Sequence, residues 1–64
     1  MKFSELEVVR VLKDFEKEGI RKGDFGTIVH IFTQPTEAYE VEFCDKEGRT
    51  VAEFTVLPEY LEKY

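Results

Sequence analysis

AYEVEFCDKEGRTVAEFTVL, residues 38–57, decides the fold. Tyr39, Val41 and Phe43 alternate with Glu40 and Glu42, and Ala52, Phe54 and Val56 alternate with Glu53 and Thr55. A period of two is the pattern of a half-buried strand. The polar stretch between them carries Glu47-Gly48, where glycine can take the positive φ of a tight turn. Antiparallel pairing then sets Phe43 opposite Ala52, Val41 opposite Phe54 and Tyr39 opposite Val56, which gathers the apolar side chains on one face. The same register sets Glu42 against Glu53, so the other face is acidic.

Thr27 to Phe32, TIVHIF, supplies the preceding strand. Pairing Ile31 with Tyr39 and Val29 with Val41 extends the dry face, and pairs His30 with Glu40 and Ile28 with Glu42 on the other. Thr33 to Glu37, with Pro35, is the connection. Further upstream, Glu7 to Lys13 (EVVRVLK) is β-branched and reads as a first strand, although Phe3 to Phe15 also admits a short amphipathic helix. Asp14 to Asp24 is a polar loop, pinned by Phe15 and Ile20, after which Gly26 restarts regular structure. Downstream, Pro58 ends the fourth strand. Pro58 to Leu61 reads as a 3-10 turn, with a short helix as the alternative, and Leu61 to Tyr64 as a last short strand. The expected architecture is all-β: an SH3-like five-stranded barrel, with a long loop after strand 1 and a 3-10 turn before the last strand, forming one domain over residues 1–64.

A chain of 64 residues leaves no room for paired subdomains, and its formal charge of -5 opposes binding to a phosphate backbone. A single cysteine, Cys44, excludes an intramolecular disulfide, and a secreted domain of this size usually carries several. MKFSELEVVRVLKDFE has charges scattered through its apolar residues, unlike a signal peptide, and no apolar run is long enough to span a bilayer. The expectation is a cytoplasmic protein with no membrane association.

EVVRVLKD (Glu7 to Asp14), GIRKGDFGTIVHIF (Gly19 to Phe32) and the stretch from Ala38 to Leu57 together resemble a family of short bacterial and cyanobacterial proteins described as a domain of unknown function. Gly-Asp-Phe-Gly-Thr-Ile-Val, residues 23–29, is the most specific part. The resemblance implies an SH3-like fold and a bacterial source, and an accessory, antitoxin-like or partner-subunit role; it transfers no active site. The same Gly-rich block is similar to the start of the KOW motif of RNA-associated barrels, but its basic residues, Lys17, Arg21 and Lys22, are diluted by Glu16, Glu18 and Asp24. Val11 to Glu16 and Pro58 to Leu61 look like the segments framing the peptide groove of eukaryotic SH3 domains, although the chain has no Trp.

No catalytic triad, phosphate-cradling loop or paired-Cys motif is present, so no enzymatic activity and no cofactor are expected. His30, Glu40 and Cys44 lie too far apart along their strands to promise a metal site. His30 is expected to pair with Glu40 on the outer face, and Cys44 to be a half-buried apolar residue. Glu37, Glu40, Glu42 and Glu53 fall near one sheet face. On strand 1 Val8 and Leu12 alternate against Val9 and Val11, so whichever set faces the core the other leaves an apolar strip that needs cover, and Val9 and Val11 are the candidate partner-binding residues. An uncovered strand 1 would also be an edge open to pairing. Phe15 and Tyr60 form a candidate shallow aromatic pocket at the loop mouth, with Glu16 and Glu18 to attract a basic ligand. The expected function is a non-enzymatic protein-interaction module, with an antitoxin or accessory subunit as one version, whose partner is a bacterial protein or a second copy. A KOW-like nucleic-acid-associated barrel is the alternative.

Overall fold

The computed structural model describes residues 2–64. Its strands are β1 (Val8–Val11), β2 (Phe25–Phe32), β3 (Ala38–Cys44), β4 (Thr50–Val56) and β5 (Leu61–Lys63), with single 3-10 turns at Glu16–Glu18 and Pro58–Tyr60. All strand pairs are antiparallel, in the spatial order β4-β3-β2-β1-β5. Among the described residues the hydrogen-bonded sheet is open, with β4 and β5 at its edges, so the expected closure into a barrel is corrected. β5 is three residues long and, among the described residues, pairs only with β1. Strand 1 is an interior strand, bonded on both sides, and offers no free edge.

The β3–β4 register is the expected one from Tyr39 opposite Val56 to Phe43 opposite Ala52, and Glu42 does face Glu53. Gly48 takes φ 82° in the turn, where the Asp45 side chain accepts the backbone N–H groups of Glu47 and Arg49, both at 2.9 Å. The β2–β3 register holds only from Phe32 to His30. An irregularity between Ile28 and His30 then absorbs one residue, so Val41 faces Ile28 and Glu42 faces Thr27. Val29 therefore does not pair with Val41; Ile28 enters the core in its place, fully buried.

The inward residues of all five strands converge on one core: Val9, Val11, Ile28, Tyr39, Val41, Phe43, Val56 and Leu61. Phe3 closes one side of it. Its ring meets Tyr39 edge to face at 5.2 Å, and its backbone N–H donates to the Tyr39 hydroxyl at 3.1 Å. That hydroxyl in turn donates to Glu37. Ile20, from the loop after β1, enters the same core. No helix of the described residues is long and apolar enough to cross a membrane.

Candidate functional site

Val9 and Val11 are 0% and 1% exposed, so they are core residues and not the strip anticipated for a partner. The reason is strand geometry. Side chains alternate, and Arg10 shares its face with Val8 and Leu12; placing the guanidinium outside turns Val9 and Val11 inward. The outward set is covered in part by its own neighbours. Arg10 pairs with Glu62 at 3.0 Å and lies over the Phe25 ring, which meets Tyr64 edge to face at 4.6 Å.

The loop mouth is built differently. The backbone N–H of Leu12 donates to the Tyr60 carbonyl at 2.8 Å, tying the exit of β1 to the 3-10 turn that precedes β5. Phe15 and Ile20 exchange backbone hydrogen bonds of 2.7 and 3.2 Å, and Gly19, at φ 72°, closes the turn that they enclose. Asp14 and Asp24 brace the loop by accepting the backbone N–H groups of Lys22 and Arg21 at 2.8 and 2.9 Å. These bonds leave Phe15 half-buried beside Tyr60, and lift Glu16 and Glu18 into solvent.

Four aromatic rings run outward from the core at this point. Phe43 stacks on Phe54 at 5.3 Å, Phe54 meets Phe15 at 5.1 Å, and Phe15 meets Tyr60 at 6.3 Å with their planes 81° apart. The last pair forms a corner. Lys13 holds its ammonium there, 4.5 Å from the Tyr60 centroid and 5.2 Å from that of Phe15. A shallow hollow of about 280 Å³ opens between Lys13, Phe15, Glu18 and Phe54. A second, of about 300 Å³, is bounded by Asp14, Glu16, Ile20 and Arg21. Of the candidate residues, Phe15 and Tyr60 thus stand side by side, and Glu16 and Glu18 line the hollow next to Phe15. Lys13 and Phe54 join them unanticipated. Phe54 could have been found from its register opposite Val41, but nothing in the sequence marks Lys13.

The acidic face is a separate feature. Hydrogen bonding with Glu40, together with desolvation and the charges of Glu40 and Glu42, pushes the Glu53 carboxyl above the usual carboxylate range. Thr55 donates to Glu40 at 2.9 Å, and Thr50 donates to Glu42. Glu37 is shifted the other way, held low by the hydrogen bond from Tyr39 and by the backbone N–H of Lys2. His30 does sit opposite Glu40, but its ring packs edge-on against Phe32 at 4.6 Å, and Glu40 takes Thr55 as its partner. Cys44 is exposed, not half-buried as anticipated, because the register shifts between Phe43 and Cys44 and carries it past the last apolar pair. Among the described residues no three His, Cys, Asp or Glu side chains are grouped to hold a metal ion.

A family model described as a domain of unknown function (DUF4926) matches residues 5–63. No curated protein and no solved structure matches the chain.

Proposed function

The chain belongs to the family described as a domain of unknown function (DUF4926), and we propose that it is a non-enzymatic interaction module of SH3-like fold that docks a protein partner at its loop mouth. The strand order and the 3-10 turn before β5 support the SH3-like reading. One observation carries the functional reading: Phe15 and Tyr60 are held half-buried at the surface, continuous with the core through Phe54, and flanked by the exposed carboxylates of Glu16 and Glu18. Aromatic rings that are rigid and partly exposed supply contact area at low entropic cost. The acidic rim, on a chain of charge -5, steers a basic surface toward them.

The partner is a bacterial cytoplasmic protein in this reading, and an antitoxin-like or accessory role is its concrete form. The test is recovery of the tagged protein from its native cells at low and at moderate salt, with mass spectrometry and ultraviolet absorbance of what accompanies it. A stoichiometric protein that survives moderate salt is the expected result. Nucleic acid lost steeply with salt, and no protein, would replace this reading with the KOW-like one.

A further inference from the structure

We propose that the Phe15–Tyr60 corner is a binding site for a cationic side chain of a partner peptide, and that Lys13 is an internal occupant which that side chain displaces. The proposal rests on the interaction-module reading and gives it a ligand chemistry. The two rings are nearly perpendicular, and a cation in the corner meets both quadrupoles; the Lys13 ammonium stands at 4.5 and 5.2 Å from their centroids. The corner therefore already holds a positive charge. Lys13 itself is exposed, and among the described residues no carboxylate lies within ion-pairing distance of it. What holds the ammonium is the aromatic pair alone, a weak contact when exposed to water.

The surroundings favour an incoming cation over the resident one. Asp14, Glu16 and Glu18 line the adjoining hollow together with Lys13 and Lys17, and among the described residues these three carboxylates form no ion pair. An arginine carried on an extended peptide would lay its guanidinium on the rings, and its forked donors would reach the rim carboxylates. Lys13 lines the same hollow, but its ammonium stands over the two rings and is paired with none of those carboxylates.

The probe is a short acetylated Gly/Ser peptide with one arginine, compared with the same peptide carrying neutral citrulline, followed by NMR titration of the Phe15 and Tyr60 ring protons. The arginine peptide should shift both rings and the citrulline peptide neither. Lys13→Ala should tighten arginine binding about threefold, the order expected for releasing one exposed cation–π contact. Lys17→Ala removes an equal charge from the lining of the same hollow, where Lys17 makes no cation–π contact, and should tighten it less. Circular dichroism melts check that both variants remain folded. Equal effects of the two variants, weaker binding by Lys13→Ala, or equal response to both peptides would overturn the proposal. If a native protein partner is recovered whose binding is indifferent to Phe15 and Lys13, the cation site fails and the interaction module stands; if the peptide binds but no partner protein is found, the reverse holds.

Discussion

The backbone of Gly26 passes directly beneath the ring of Phe43: a methyl group at position 26 would stand 2.9 Å from Cε2 of Phe43 and 2.5 Å from Cγ1 of Val41. Gly26 is the inward residue of β2 opposite Val9, so the sheet is thin at this point because the facing aromatic needs the space. The contact is with buried, packed side chains, which cannot swing away. Gly26→Ala should therefore destabilise the fold by about 1–3 kcal/mol, the usual range for overpacking. Urea denaturation checks it, and a variant as stable as the parent would show that the core relaxes around position 26.

Tyr39 links the N-terminal segment to the sheet. Its hydroxyl accepts the backbone N–H groups of Lys2 and Phe3, both at 3.1 Å, and donates to Glu37. Tyr39→Phe keeps the ring against Phe3 but leaves the buried Phe3 N–H without an acceptor, a loss of about 1–3 kcal/mol. The segment before β1 should then become more sensitive to proteolysis. Unchanged stability and cleavage would mean that ring packing alone holds Phe3.

The pH dependence has a worked sign. Glu53 has a folded-state pKa raised above its ordinary 4.5 by hydrogen bonding with Glu40 and by the neighbouring negative charges. The folded state thus binds the proton more tightly than the unfolded one, and ionised Glu53 weighs against folding above that raised value. Glu53→Gln should be more stable than the parent at neutral pH. The advantage should shrink as pH falls through the raised pKa and vanish below about 4.5, once the carboxyl is protonated in both states. Denaturation at several pH values measures the difference. Equal stability at neutral pH would show that the carboxylates spread apart in solution.

Glu37 runs the opposite way. Its pKa is lowered by the Tyr39 hydroxyl and the Lys2 backbone, so its contribution is present above 4.5 and is lost as pH falls toward the lower folded value. Glu37→Gln should accordingly destabilise at neutral pH and converge with the parent in acid. A constant difference across that range would show that packing, and not charge, accounts for the change.

Much of the sheet is legible in the sequence, and the misreadings have local causes. The β3–β4 register follows from alternation and the turn together: alternation puts Tyr39, Val41, Phe43, Phe54 and Val56 on one face, and a tight turn at Glu47-Gly48 selects among the pairings that do so. Ile28 and Val29 are adjacent, both apolar and both β-branched, so alternation cannot tell which points inward, and the irregularity beside them decides it. On β1 the signal was present in Arg10, whose parity marks Val8 and Leu12 as outward and Val9 and Val11 as core. The mouth was half legible. Phe15 and Tyr60 stand out as aromatics in polar stretches, whereas Lys13 gains its meaning only when the Leu12 to Tyr60 hydrogen bond brings two distant segments together.

The most direct test of the docking surface is backbone amide hydrogen exchange on the complex with the recovered partner. Docking at the mouth predicts slowed exchange at Lys13 to Gly19 and at Tyr60, with little change across the acidic face around Glu42 and Glu53. Protection confined to that face, or to the outer surface around Val8, Phe25 and Tyr64, would contradict it.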